Sequence, residues 1–120
     1  MIPRRWRPPV LWAAVVLLLT SIPMPPGSMD DAPGIDKLVH AALYGVLGFL
    51  ATRASWERTR GWQPVAATLL GALVFAALDE WHQSFIPGRA ADPLDWVADA
   101  FGLLAGAGVA LVLSRSERYT

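Results

Sequence analysis

Residues 94–113 read LDWVADAFGLLAGAGVALVL, an apolar run of the length a helix rising ~1.5 Å per residue needs to cross about 30 Å of hydrocarbon. Two carboxylates interrupt it, both near its start. At ~100° per residue, Asp95, Asp99, Gly102 and Gly106 fall within about 60° of one another and form one stripe. A Gly-x-x-x-Gly pair lets another helix backbone approach closely, which turns this stripe, aspartates included, towards the inside of a bundle. Gly102 and Gly106 are therefore read as helix-packing residues.

Working outward, three more apolar stretches precede this one, separated by proline-bearing or arginine-bearing breaks. The expected helices are residues 9–23, 35–54, 64–85 and 94–113, giving an all-α fold: an integral membrane four-helix bundle in a single domain over residues 1–120. Apolar residues make up 54% of the chain against 17% charged, above the usual soluble balance. The first stretch is short and follows Arg4, Arg5 and Arg7, so it also reads as the apolar part of a secretory signal. No small-x-small cleavage pattern follows it, and a retained helix is the expected outcome. With no cysteine, disulfides and thiolate chemistry are excluded. Zero net charge argues against a nucleic-acid partner, since phosphate binding needs a clustered basic excess.

Cations accumulate in short cytoplasmic loops. With the N-terminus inside, eight of the ten basic residues fall on the cytoplasmic side, and only Lys37 and Arg89 lie outside. Both termini are thus expected in the cytoplasm, and the first loop, carrying Asp30 and Asp31, outside. Trp6, Trp56, Trp62, Trp81 and Trp96 sit near the span ends, where indoles suit the interface. The inner halves of the spans read as Ala, Val, Leu and Gly.

Charge within a span is expensive and signals pairing or function. Here the ionisable residues gather towards the outer side. Asp36, Lys37 and His40 open the second helix; Asp79, Glu80, His82 and Gln83 close the third; Arg89 and Asp92 occupy the connecting turn; Asp95 and Asp99 open the fourth. His40, Asp79 and Asp99 lie roughly 7 to 9 Å inside their helix ends. Asp36 and His40, four apart, share a face, where a carboxylate can hold the imidazole or take its proton. Asp79 and Glu80 differ by about 100° and cannot face one neighbour together. Asp92, preceding Pro93, suits a helix cap. His82 reads as a hydrated surface histidine, and the long cations can snorkel to headgroups.

These residues resemble the VanZ-like proteins, small bacterial membrane proteins whose namesake is linked to resistance to the glycopeptide antibiotic teicoplanin. The resemblance is carried by Asp36, Lys37, His40 and Tyr44, then Glu80, Gln83, Phe85, Pro87, Gly88 and Arg89, then Asp92, Asp95, Gly102 and Gly106. One departure is Asp99, where the family pattern suggests asparagine. The resemblance implies the fold, location in the bacterial cytoplasmic (inner) membrane and a functional outer cluster.

Three functions follow as expectations. The favoured one is a binding protein that recognises a polar headgroup, lipid-linked envelope precursor or amphiphilic lipoglycopeptide at the outer leaflet, contributing to glycopeptide resistance or envelope homeostasis. Arg89 or Lys37 would hold an anionic group, and Gln83, Asp92 and Asp95 complete the binding set. This reading needs no catalysis and no cofactor. The second is an intramembrane enzyme on a lipid-linked substrate, with His40 as base oriented by Asp36, and Glu80 or Asp99 as acid. A metal-assisted version stays open because histidine and carboxylates ligate divalent ions, although no His-Glu-x-x-His motif is present and no metal ligand is assigned. The third, ion or proton translocation, needs polar groups across the whole thickness, which a single copy lacks but an oligomer could assemble.

Overall fold

The structure, a computed structural model, describes residues 1–23, 33–59, 61–89 and 91–117. The first loop with Asp30 and Asp31, and Arg60 and Arg118, lie outside the described residues, as does the Arg58 side chain. Among the described residues there is no strand. A short 3-10 turn at Arg4–Trp6 leads into α1 (Arg7–Thr20), followed by α2 (Pro33–Thr59), α3 (Trp62–Gln83) and α4 (Pro93–Glu117).

The helix bounds depart from those read from hydropathy, each for a local reason. α1 begins earlier, at Arg7, because Pro8 and Pro9 fall in its first turn, where the donors they lack are not needed. It ends at Thr20 because Pro23 disfavours helical backbone at Ile22. α2 and α4 run past the ends of their apolar stretches, to Thr59 and Glu117. Hydropathy marks where hydrocarbon stops, whereas the helix stops only where its hydrogen bonding is broken. α3 closes at Gln83, and Phe85 sits in the turn beyond it: Ser84, Phe85 and Ile86 donate to carbonyls three residues back. Gly88 then reverses the chain with a φ of 81°, a backbone that L side chains rarely adopt.

Three of the four helices, over Gly34–Trp56, Trp62–Gln83 and Pro93–Ser116, are long and apolar enough to cross a membrane. α1 is not. Its 14 residues span about 21 Å at ~1.5 Å per residue, short of the roughly 30 Å of a hydrocarbon core.

Burial is inverted relative to a soluble bundle. Leu70, Leu78, Phe101, Leu104 and Val112 are all more than half exposed, while Asp36, His40, Asp79, Glu80, Asp95 and Asp99 are buried. In water this would leave large apolar faces unpartnered; in lipid those faces are solvated and the polar groups are sheltered. Val16, Tyr44, Leu47, Ala76 and Leu103 form the apolar core, which draws on all four helices.

α2 and α4 are in backbone contact. A Cβ on Gly102 would run into the Ala41 carbonyl, one on Gly106 into the Gly45 carbonyl, and one on Gly48 into Leu103 backbone. The packing role read for Gly102 and Gly106 is thus matched by small residues on α2, Ala41, Gly45 and Gly48, which let the two backbones meet. The second half of α2 is less uniformly apolar than its reading suggested. Thr52 and Ser55 are both buried, and the Ser55 hydroxyl donates to the Thr52 carbonyl.

Candidate functional site: a buried histidine–carboxylate cluster

The α2–α4 contact brings Asp36, Lys37 and His40 against Asp95 and Asp99. The α3–α4 turn adds Asp92, and the last turns of α3 bring Asp79, Glu80 and Gln83. Every one of these except Lys37 and Asp92 is buried. A polar end with an apolar remainder follows from sequence, but its wiring does not.

His40 Nδ1 lies 2.8 Å from Asp99 Oδ1, a full hydrogen bond between two buried groups. Its Nε2 is 3.7 Å from Asp36 and 4.0 Å from Asp95, near enough for electrostatic attraction but too far for hydrogen bonds. The carboxylate that orients the imidazole is therefore Asp99 on the neighbouring helix. Asp36, expected in that role, shares the face but sits too far away, because i,i+4 spacing sets a common direction without setting hydrogen-bond distance.

Lys37 does not snorkel free. Its Nζ donates to Asp92 at 2.9 Å and Asp95 at 2.5 Å, and lies 3.9 Å from Asp36. Asp92 caps α4 as expected: its Oδ1 accepts from the Leu94 amide and its carbonyl from the Asp95 amide. The same side chain also takes the lysine, and that hydrogen bond holds the Asp92 carboxyl below the usual aspartate range. Glu80 accepts the Asp92 amide through Oε1 at 2.6 Å and so ties the turn to α3.

Asp79 turns away from Glu80, as their angular separation requires. Its two oxygens accept the Thr20 hydroxyl at 2.7 Å and the Tyr44 hydroxyl at 2.8 Å, joining α1, α2 and α3. Sequence reading placed Asp79 with the polar residues near the end of α3 but left it out of the binding set. Tyr44 entered only through the family resemblance, and Thr20 was missed. The available signal for Thr20 was a lone hydroxyl closing an otherwise aliphatic helix.

Arg89 departs most from expectation. Its Nε donates to the Ile22 carbonyl at 2.8 Å and its Nη2 to the Leu19 carbonyl at 3.0 Å, satisfying orphan acceptors at the end of α1. A guanidinium at a helix C-terminus also meets the negative end of the dipole. It docks α1 to the α3–α4 turn, and no carboxylate pairs with it among the described residues. His82 is exposed, as expected, and Trp81 packs edge-on to Phe85 with centroids 5.3 Å apart.

Beside the cluster, α1, α2 and Arg89 enclose a pocket of about 250 Å³. Leu19, Ile22, Val39 and Leu43 give it apolar lining, and Thr20, Asp36, His40 and Arg89 give it polar lining. Within the cluster, three buried side-chain atoms have no hydrogen-bond partner: Glu80 Oε2, Gln83 Nε2 and Asp99 Oδ2. With Asp79 taken up by Thr20 and Tyr44, the other five carboxylates of the cluster (Asp36, Glu80, Asp92, Asp95, Asp99) stand against the Lys37 ammonium and the His40 imidazole. Such an arrangement can bind a cationic or hydrogen-bond-donating group, or exchange a proton through His40.

A family model described as VanZ/LLP1 matches residues 5–114, nearly the whole chain. The chain belongs to the VanZ/LLP1 family. Membership, together with three apolar helices of spanning length, points to a membrane protein of the VanZ type. No curated protein and no solved structure matches the chain. The VanZ match takes in α1, the pocket and every residue of the cluster.

Proposed function

We propose that this chain is a single four-crossing unit of the bacterial cytoplasmic membrane that binds the polar head of a lipid-linked envelope component or amphiphilic antibiotic at the outer leaflet. Through that binding it contributes to glycopeptide resistance or envelope homeostasis. The carrying observation is the pocket, which combines aliphatic lining from α1 and α2 with the polar side chains of Asp36 and His40. An amphiphile needs both, a greasy channel for the tail and convergent polar groups for the head. With Arg89 and Lys37 already bonded within the protein and carboxylates outnumbering cations in the cluster beside the pocket, an amine- or hydroxyl-bearing head is favoured over an anionic one.

Termini in the cytoplasm are supported by the eight basic residues assigned there. α1 then crosses together with its flanking residues, with local thinning of the bilayer over the shortfall. The absence of cysteine makes this directly testable. A cysteine at Ser84 is expected to react with an impermeant thiol reagent applied to intact cells, and one at Ser116 only after lysis; the reverse pattern overturns the orientation. For the pocket, a fluorescent teicoplanin derivative and a labelled phosphatidylethanolamine are titrated onto protein in nanodiscs. At least one should bind, and Val39→Phe, which fills the pocket, should weaken it about tenfold or more, roughly the 1–3 kcal/mol of an overpacked site. Equal affinity for wild type and Val39→Phe refutes pocket binding.

A second reading, acid/base catalysis on a lipid-linked substrate, is favoured by the His40–Asp99 hydrogen bond, which fixes one ring nitrogen and leaves the other for proton transfer. Turnover of such a substrate that disappears in His40→Ala supports catalysis; binding without turnover in the wild type excludes it.

A further inference from the structure

We propose that the junction of α2, α3 and α4 binds one divalent first-row transition-metal ion through His40, Glu80 and Asp99. One donor atom from each of these three buried residues lies within 4.8 Å of the others. Metal–ligand bonds of about 2.0–2.2 Å place ligands of a single ion roughly 3 to 4.4 Å apart, so small side-chain adjustments close the set.

Proximity of acids is common, and the partner bookkeeping of each oxygen is what points to a ligand. Each carboxylate has one oxygen engaged and one idle. Glu80 Oε1 is fixed by the Asp92 amide while Oε2 has no partner; Asp99 Oδ1 is fixed by His40 while Oδ2 has none. Both residues are more than nine-tenths buried, where an unsatisfied carboxyl oxygen is costly. A cation shared between them removes that cost at both. The Glu80–Asp92 bond resembles the outer hydrogen bonds that orient ligands in metal sites, whereas the His40–Asp99 bond joins two of the proposed ligands and shows that their donor atoms already converge.

A second triad, Asp36, His40 and Asp95, also has ligand spacing. It is the poorer candidate because Lys37 sits 2.5 Å from Asp95, so an ion there must displace an ammonium. Glu80 and Asp99 accept no hydrogen bond from a cationic lysine or arginine among the described residues. One imidazole with two carboxylates and no thiolate suits Mn²⁺, Fe²⁺, Co²⁺ or Zn²⁺; the nitrogen ligand disfavours Ca²⁺ and Mg²⁺, which prefer oxygen. Three protein ligands leave positions open for a further group. The proposal stands apart from the identity of the amphiphile, because the ions themselves are the probes.

The full chain, purified in detergent and stripped with chelator, is dialysed against Mn²⁺, Co²⁺, Zn²⁺ or Mg²⁺ and its metal content measured. About one transition ion per chain is expected, with Mg²⁺ binding far weaker. Glu80→Gln and Asp99→Asn should each lower affinity at least about tenfold, and His82→Ala, at the exposed histidine, should not change it. Because a cluster variant can misfold, wild-type protein labelled with ¹⁵N-histidine and loaded with Mn²⁺ gives an independent reading: pulsed EPR should show coupling to one histidine nitrogen, and His82→Ala should retain it. Sub-stoichiometric binding of every ion, binding unchanged in both carboxamide variants, or a wild-type spectrum without histidine coupling overturns the site.

Discussion

Gly106→Ala is the smallest change that should separate α2 from α4. The added methyl would lie 2.8 Å from the Phe49 amide nitrogen and closer still to the Gly45 carbonyl oxygen, where ordinary contact needs 3.4 Å. Both obstacles are backbone: the Phe49 amide alone requires the helices to part by about 0.6 Å, the difference between those two distances, and the Gly45 carbonyl requires more. Overpacking of this kind costs about 1–3 kcal/mol, and the better helix propensity of alanine returns about 1 at most. The net expectation is a loss of roughly 1–2 kcal/mol, a five- to thirtyfold fall in the folded-to-unfolded ratio. The His40–Asp99 bond crosses the same interface. Stretched from 2.8 Å by the same amount it would reach about 3.4 Å, outside the usual ~2.7–3.2 Å range. Unfolding in mixed micelles against SDS fraction reads the stability, and ¹⁵N shifts of His40 read the bond. Gly108→Ala is the internal control, since its methyl meets nothing within 4 Å. Should Gly106→Ala unfold at the same SDS fraction as Gly108→Ala, with His40 shifts unmoved, the close backbone contact does not exist.

The Asp79 bridge makes a cooperative prediction. Tyr44→Phe and Thr20→Val each remove one donor and should each cost about 1–3 kcal/mol, while together they strand the carboxylate and cost at least about 0.5 kcal/mol more than their sum; strict additivity would count against a shared acceptor. Asp92 predicts an acid limb. Its carboxyl is held below the usual value by Lys37, so the stabilisation is complete above the unfolded pKa of about 3.9 and disappears as pH falls through the lower folded value. Asp92→Asn, which keeps a capping side chain, should melt below the wild type at neutral pH and converge with it in acid; a gap independent of pH would exclude the ion pair as its source.

Much of this protein was legible one segment at a time. Hydropathy located the four helices because apolar character is a local property, and it misjudged their ends where prolines and tight turns, rather than polarity, stopped the hydrogen bonding. Helical periodicity put Asp95, Asp99, Gly102 and Gly106 on one face, and all four are buried. It also separated Asp79 from Glu80. Periodicity could not say that Arg89 serves the end of α1, because its two acceptors lie 67 and 70 residues away along the chain. Nor could it say that Thr20 belongs to the polar end, since a single hydroxyl carries no pattern.

Sequence alone determined that the chain is helical and apolar on its outside, and that His40, Asp79 and Asp99 fall within a few turns of the ends of three helices. These follow from composition and a 3.6-residue period, which need no knowledge of neighbours. Only the tertiary structure decided which carboxylate holds His40, which cations are already engaged and which oxygens are left idle. Those choices turn on differences of about an ångström between facing helices, set by where glycine lets two backbones touch, and no one-dimensional pattern encodes a distance between helices.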